Sequence, residues 1–159
     1  MMPTFSRVRS NGSGGQVVRV ARALRMGVGH VVVTARDIEQ AEKTVDDALA
    51  SVDSYRILRL SAINGTESTS GRLCDDETPS IASLSDEARA EGRRVFVIIS
   101  DADLASVKQL ESLRMRVEAA PSSGDSVRMV LIGSPVLSRI LQLPSARGLA
   151  SRVGMQAAL

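Results

Sequence analysis

Two aspartates, Asp101 and Asp103, follow directly on the most apolar run of the chain, Arg94 to Ser100 (RVFVIIS). Carboxylates at the end of a buried strand are the residue types that hold a magnesium ion or activate water. Asp101 and Asp103 are therefore the candidate metal ligands, and Asp101 is the candidate catalytic residue. The same pair also suits capping of the helix expected from Leu104 onward. Other reactive types are sparse. His30, the only histidine, precedes a β-branched run and reads as a strand-edge residue rather than a general base. Cys74, the only cysteine, stands beside Asp75, Asp76 and Glu77, whose charge disfavours a thiolate. Those three adjacent carboxylates lack the spaced, convergent arrangement of a cation site.

Charge is laid out unevenly. Residues 1 to 36 carry Arg7, Arg9, Arg19, Arg22, Arg25 and Arg36 and no acid, whereas Asp37 to Asp53 and Asp75 to Glu91 are acidic blocks, although the formal net charge is only +2. Arg19, Arg22 and Arg25 fall on the polar side of an amphipathic stretch and are candidates for partner contact. Opposite blocks on one chain also permit head-to-tail self-association. A nucleic-acid role would rest on these arginines alone, because no groove-reading motif accompanies them. With two Phe, one Tyr and no Trp there is no platform for stacking bases.

The elements that must position these residues follow from length and periodicity. A chain of 159 residues with 43% hydrophobic residues is expected to form one globular domain. Its longest aliphatic-aromatic run, Val95 to Ile99, is far below the roughly 20 apolar residues of a membrane span. A lone cysteine excludes a disulfide framework and multi-cysteine metal sites, which suits a cytoplasmic setting. Residues 1–15 read as a disordered lead, residues 16–159 as the domain, and residues 61–80 as a mobile loop rich in Ser, Thr, Gly and Asp. Val17, Val20, Ala21 and Leu24 keep a helical stripe, as do Ile38 through Val52 and Leu104 through Val117. His30 to Ala35 is a β-branched run that reads as a strand buried on both faces, Arg56 to Leu60 reads as a second strand, and the apolar runs Arg94 to Ser100 and Val127 to Gly133 as further strands. Short helices are expected over 80–92, 135–143 and 145–153, with a break at Pro144. Alternating strands and helices predict an α/β fold, a three-layer parallel sheet with flanking helices. Ligands of such sheets bind beyond the carboxyl ends of the strands, near Arg36, Asp37, Ser61, Asn64, Asp101, Asp103 and Ser134.

The order of elements over about residues 16 to 153 resembles the P-loop AAA ATPases of the general-secretion and transposition type (ExeA-like or TniB-like). The resemblance rests on RVFVIISDADLASVKQLESLRM at 94–115 and VRMVLIGSPVLSRILQLPSARGLASRV at 127–153. In that family the first segment is similar to an apolar strand, Asp-Glu-Ala-Gln and a helix ending in Leu-Arg. The second is similar to an apolar strand, Gly-Gln-Pro-Glu-Leu, a proline and a late arginine. By this resemblance Ser100 takes the place of a magnesium-linked aspartate and Asp101 that of a catalytic glutamate. Arg152 takes that of an arginine reaching a neighbouring subunit's site. The resemblance also implies a larger assembly, at the inner membrane or on DNA, and ATP with magnesium as the cofactors of an active member.

That family carries GxxxxGK[ST] between its first strand and helix, and here no glycine stands in that position. Lys43-Thr44 matches the final pair and is the candidate nucleotide-binding site, but Asp37-Ile-Glu-Gln-Ala-Glu42 precedes it with a helical stripe. Asp37 and Glu39 at a helix start would repel a polyphosphate by roughly 1 to 4 kcal/mol per close pair of charges. The leading expectation is a P-loop NTPase-like domain without a functional phosphate loop, needing no cofactor, that binds protein partners as a scaffolding or regulatory module. A second reading is a divergent nucleotide switch in which Asp101, Arg36 and Arg152 hold phosphate. A third is a receiver-like signalling module, which the sequence fits poorly because it lacks paired acids after the first strand.

Overall fold

His30–Thr34 (HVVVT), strand β1, is buried along its whole length, between two neighbouring strands of the sheet. The computed structural model describes residues 12–27, 29–53, 55–61, 70–72, 83, 86–119 and 127–159. In chain order they form α1 (Gly12–Met26), β1, α2 (Ile38–Leu49), β2 (Tyr55–Ser61), β3 (Ser70–Arg72), β4 (Arg94–Ser100), α3 (Val107–Ala119), β5 (Val127–Gly133), α4 (Val136–Ile140), α5 (Arg147–Ala150) and β6 (Val153–Ala158). Residues 86–90 are also helical, and 3-10 turns span Ala102–Leu104 and Pro144–Ala146.

The strands lie in the order β3-β2-β4-β5-β1-β6, all neighbours parallel. From β1 to β2 the chain crosses the sheet one way, and from β4 to β5 it crosses the other way. Right-handed crossovers therefore put the intervening helices on opposite faces. The two cores follow the strand alternation. Val31, Val33, Phe96, Ile98, Val130 and Ile132 pack under α1 and α2, against Val20, Leu24, Val45 and Leu49. Val32, Val95, Val97, Ile99, Met129 and Leu131 pack on the other face against Leu110, Leu113 and Val117 of α3 and Leu137 and Leu149 beyond it. Each such side chain, taken fully out of water, contributes on the order of 1.5–3 kcal/mol. With aromatics so scarce, one tilted pair, Tyr55 and Phe96 with ring centres 6.0 Å apart, is the aromatic contact of the α1–α2 side.

The structure follows the expected alternation and departs from the sequence reading in four places. The helix expected from Leu104 starts at Val107, after a 3-10 turn over Ala102–Leu104. α1 starts at Gly12, ahead of the expected Gln16. Ser70–Arg72, expected within a loop, pairs with Arg59–Ser61 as a short edge strand, because an exposed edge of β2 accepts even a brief polar segment. The expected terminal helix stops at Ala150, and Val153–Ala158 is instead a strand beside β1. Gly29 allows this approach: its φ is +121°, and a Cβ there would lie 2.8 Å from the Arg152 carbonyl oxygen. Residues 1–11, 62–69 and 73–80, with Cys74 and Asp75 to Glu77, lie outside the described residues.

Candidate functional site

The connection from β1 to α2 is short. Ala35 N–H still donates to the Gly133 carbonyl at 3.0 Å, so only Arg36 and Asp37 separate the strand ladder from the helix. Asp37 is the N-cap, as its position before an apolar stripe predicts, and its Oδ1 accepts the Glu39 N–H at 3.0 Å. The helix N-terminus, where the peptide dipoles favour an anion, thus holds the protein's own carboxylate, with Glu39 in the same turn. Lys43 extends outward, 78% exposed, to Asp47 Oδ2 at 3.1 Å. Thr44 is buried, and its hydroxyl donates to the Gln40 carbonyl at 2.9 Å. A polyphosphate needs a wrapped run of free N–H groups and a cation aimed at them. The residues after β1 supply neither, so they do not fit ATP with magnesium.

At the end of β4 the two aspartates have different tasks. Asp103 Oδ1 accepts the Ser134 N–H at 3.1 Å, and Oδ2 accepts the Ser134 hydroxyl at 2.9 Å, tying the ends of β4 and β5. Gly133 makes room for it, since a Cβ there would stand 2.6 Å from Asp103 Oδ1. Asp101 is the one described non-glycine residue with positive φ (φ 53°, ψ 42°), a conformation that Asp adopts more readily than most residues. Partial burial, with the Asp103 charge adding to it, pushes its carboxyl above the usual range. No cap hydrogen bond from its side chain to the following turn forms, which corrects the capping expectation at this position. Among the described residues no three His, Cys, Asp or Glu side chains converge as a metal site.

The amino ends of the strands carry the longer-range polar network. His30, at the edge of β1 as expected, is buried. Its Nδ1 accepts the Met129 N–H at 3.0 Å, which fixes the proton on Nε2, facing Glu118 Oε2 at 3.4 Å. Burial lowers the His30 pKa, against the opposing pull of Glu118. Glu118 also meets Arg114 at 3.0 Å and Arg152 at 2.9 Å. Arg94 donates to the Leu24 carbonyl (2.9 Å) and Arg128 to the Gly27 carbonyl (3.3 Å), holding the chain at and just beyond the end of α1.

Arg152 is therefore not at the carboxyl end with Asp101 and Arg36. Its carbonyl accepts the His30 N–H at the start of β1, about 15 Å away at 3.3 Å per strand residue. The three do not come together around one phosphate. Arg19, Arg22 and Arg25 are exposed on the outer side of α1, as expected. Sequence reasoning missed the Glu118 cluster, in which His30 and Arg152 reach the Arg114–Glu118 pair of α3 from distant parts of the chain. It also missed an open apolar groove of about 800 Å³ along α3, lined by residues such as Val107, Ser112, Met115 and Ser145. No helix among the described residues is long and apolar enough to cross a membrane.

No protein-family model matches this chain, and no curated protein sequence matches it. Solved structures do. The ORC2 protein of Aeropyrum pernix in ADPNP-ADP complexes aligns with a TM-score of 0.61 at 17% identity, over 96% of this chain and 48% of that one. Its ADP form aligns at 0.58 and 14% identity, over 94% and 47%. EccC (ATPases 2 and 3) of Thermomonospora curvata, solved with a signal sequence peptide, aligns at 0.52 and 18% identity, over 86% and 32%. The chain spans about half the length of the ORC2 chain it matches. At such identities the likeness is one of fold: an α/β parallel sheet of the AAA type.

Proposed function

We propose that this chain is a non-hydrolysing AAA-like domain that acts by binding protein partners within a larger assembly. The observation that carries this reading is the glycine-free turn after β1, in which Asp37 occupies the anion position of its own helix and Lys43 is turned out to Asp47. Asp103 is likewise committed to Ser134. The EccC structure supports the binding half of the proposal, since a protein that includes a region of this fold was solved in complex with a signal sequence peptide. The ORC2 structures favour a second reading, a divergent nucleotide switch, because both are nucleotide complexes.

A calorimetric titration of the full chain with ATP and magnesium separates the two. The expected outcome is no binding in the micromolar range and no phosphate release. Magnesium-dependent micromolar binding that disappears in Lys43→Ala would overturn the proposal. Binding that survives Lys43→Ala would establish the divergent switch in its place.

A further inference from the structure

The acidic and basic blocks of the sequence have different fates in the fold. In the acidic blocks, five of the described acids have a cation at hand. Glu42 and Asp46 pair with Arg59 (3.8 and 2.8 Å), Asp47 with Lys43 (3.1 Å), and Glu87 and Glu91 with Arg56 (3.1 and 3.5 Å). The arginines of α1 meet no carboxylate among the described residues. Arg19 donates only to Gln16 and Arg25 only to the Ser51 hydroxyl, and Arg22 makes no hydrogen bond or ion pair among the described residues. The chain ahead of α1 adds Arg7 and Arg9 and no carboxylate.

The face also has an apolar component. Val18, Arg22 and Met26 stand at i, i+4 and i+8, one ridge of the helix, with Arg19 and Arg25 on its two flanks. Val18 is 57% and Met26 67% exposed, so two hydrocarbon side chains alternate with guanidinium groups on the open surface. α1's own apolar stripe, Val20, Ala21 and Leu24, is spent in the core.

From this juxtaposition we propose that the outer face of α1 is a docking surface for an acidic, amphipathic segment of another protein, its carboxylates meeting Arg19, Arg22 and Arg25 and its aliphatic side chains covering Val18 and Met26. The inference rests on the reading of this chain as an interaction module. Planar guanidinium groups bind carboxylates in bidentate fashion, and desolvation by neighbouring hydrocarbon strengthens such pairs. A nucleic-acid backbone offers the anions but nothing to cover Val18 and Met26. A membrane needs a continuous apolar face, and two side chains do not make one. A second copy offers fewer free carboxylates, since Glu42, Asp46, Asp47, Glu87 and Glu91 already meet Arg59, Lys43 and Arg56.

The test uses the full chain and a fluorescein-labelled synthetic helical peptide bearing Glu and Leu on one face. The comparators are a Glu-only peptide of equal charge, duplex DNA and phosphatidylserine vesicles. The Glu/Leu peptide is expected to bind about tenfold more tightly than the Glu-only peptide. That advantage should vanish in Val18→Ser/Met26→Ser, and R19A/R22A/R25A should lose at least about tenfold in affinity with unchanged thermal unfolding. Equal or tighter binding to DNA or vesicles would overturn the proposal, as would a triple variant that binds like the parent. Salt-sensitive dimers in sedimentation, abolished by the triple variant, would overturn it in favour of a second copy. ATP hydrolysis in the separate titration would defeat the proposed function and leave these binding ratios readable.

Discussion

At the carboxyl ends of the strands, polar side chains are satisfied close to home: Asp37 by the N–H two residues on, and Asp103 by Ser134 across a neighbouring strand end. At the amino ends they reach across the molecule. His30 meets Glu118 over 88 residues of chain and Met129 over 99, and Arg94 and Arg128 reach α1 over 70 and 101. In parallel α/β folds the carboxyl end is where ligands are held, and here Asp37 and Asp103 at that end are bonded to the protein's own groups. The amino end holds helices and edge strand to the sheet. The exposed arginines of α1, by contrast, meet no carboxylate among the described residues.

This contrast can be broken most severely at Gly29. Gly29→Ala places a Cβ against the Arg152 backbone in a conformation that non-glycine residues avoid, and is expected to lower unfolding stability by about 3 kcal/mol in urea titration. A loss below about 1 kcal/mol would mean that β6 docks more loosely than described.

A smaller effect is expected from pH. His30 is held neutral by burial and by the Met129 N–H, among Glu118, Arg114 and Arg128, so its folded pKa lies below the unfolded value of about 6.5. The unfolded chain then takes up the proton first. The stabilisation is complete above the unfolded pKa and is lost as pH falls from there through the folded pKa, with a slope of at most about 1.4 kcal/mol per pH unit. Denaturation midpoints between pH 7.5 and 5 measure it, and His30→Gln should flatten the slope. Stability that is greater at pH 5 in the parent alone would contradict the neutral tautomer.

The smallest effect belongs to the carboxyl end. Asp37→Ala removes one cap and is expected to cost about 1 kcal/mol. If the site is closed by more than this carboxylate, the variant gains no affinity for ATP. A variant that binds ATP would show that one side chain alone guards a latent phosphate site.

Much of this fold is legible in the chain. HVVVT, RVFVIIS and VRMVLIG are continuous apolar runs suited to strands covered on both faces, and they became β1, β4 and β5. The cap at Asp37 is legible too, because capping is settled within one turn. β6 is not. VGMQAA has neither a β-branched run nor strict alternation, and it becomes a strand through its register with β1, from His30 opposite Val153 to Thr34 opposite Ala158. The place of Arg152 was unreadable for the same reason, since it depends on where β6 begins.

The sequence by itself determined the alternation of strands and helices, the two apolar faces and the absence of glycine after β1, because these depend on residues near one another in the chain. Only the tertiary structure decided which charges are spent. Glu42 and Asp46 are paired by Arg59, and Glu87 and Glu91 by Arg56, both arginines projecting from β2, and the tautomer of His30 is set by a backbone group of β5. Periodicity carries the direction in which a side chain points. It does not carry the identity of the partner that packing brings near, and so blocks of opposite sign in the sequence end differently: five described carboxylates of the acidic blocks meet cations, while Arg19, Arg22 and Arg25 of α1 meet no carboxylate among the described residues.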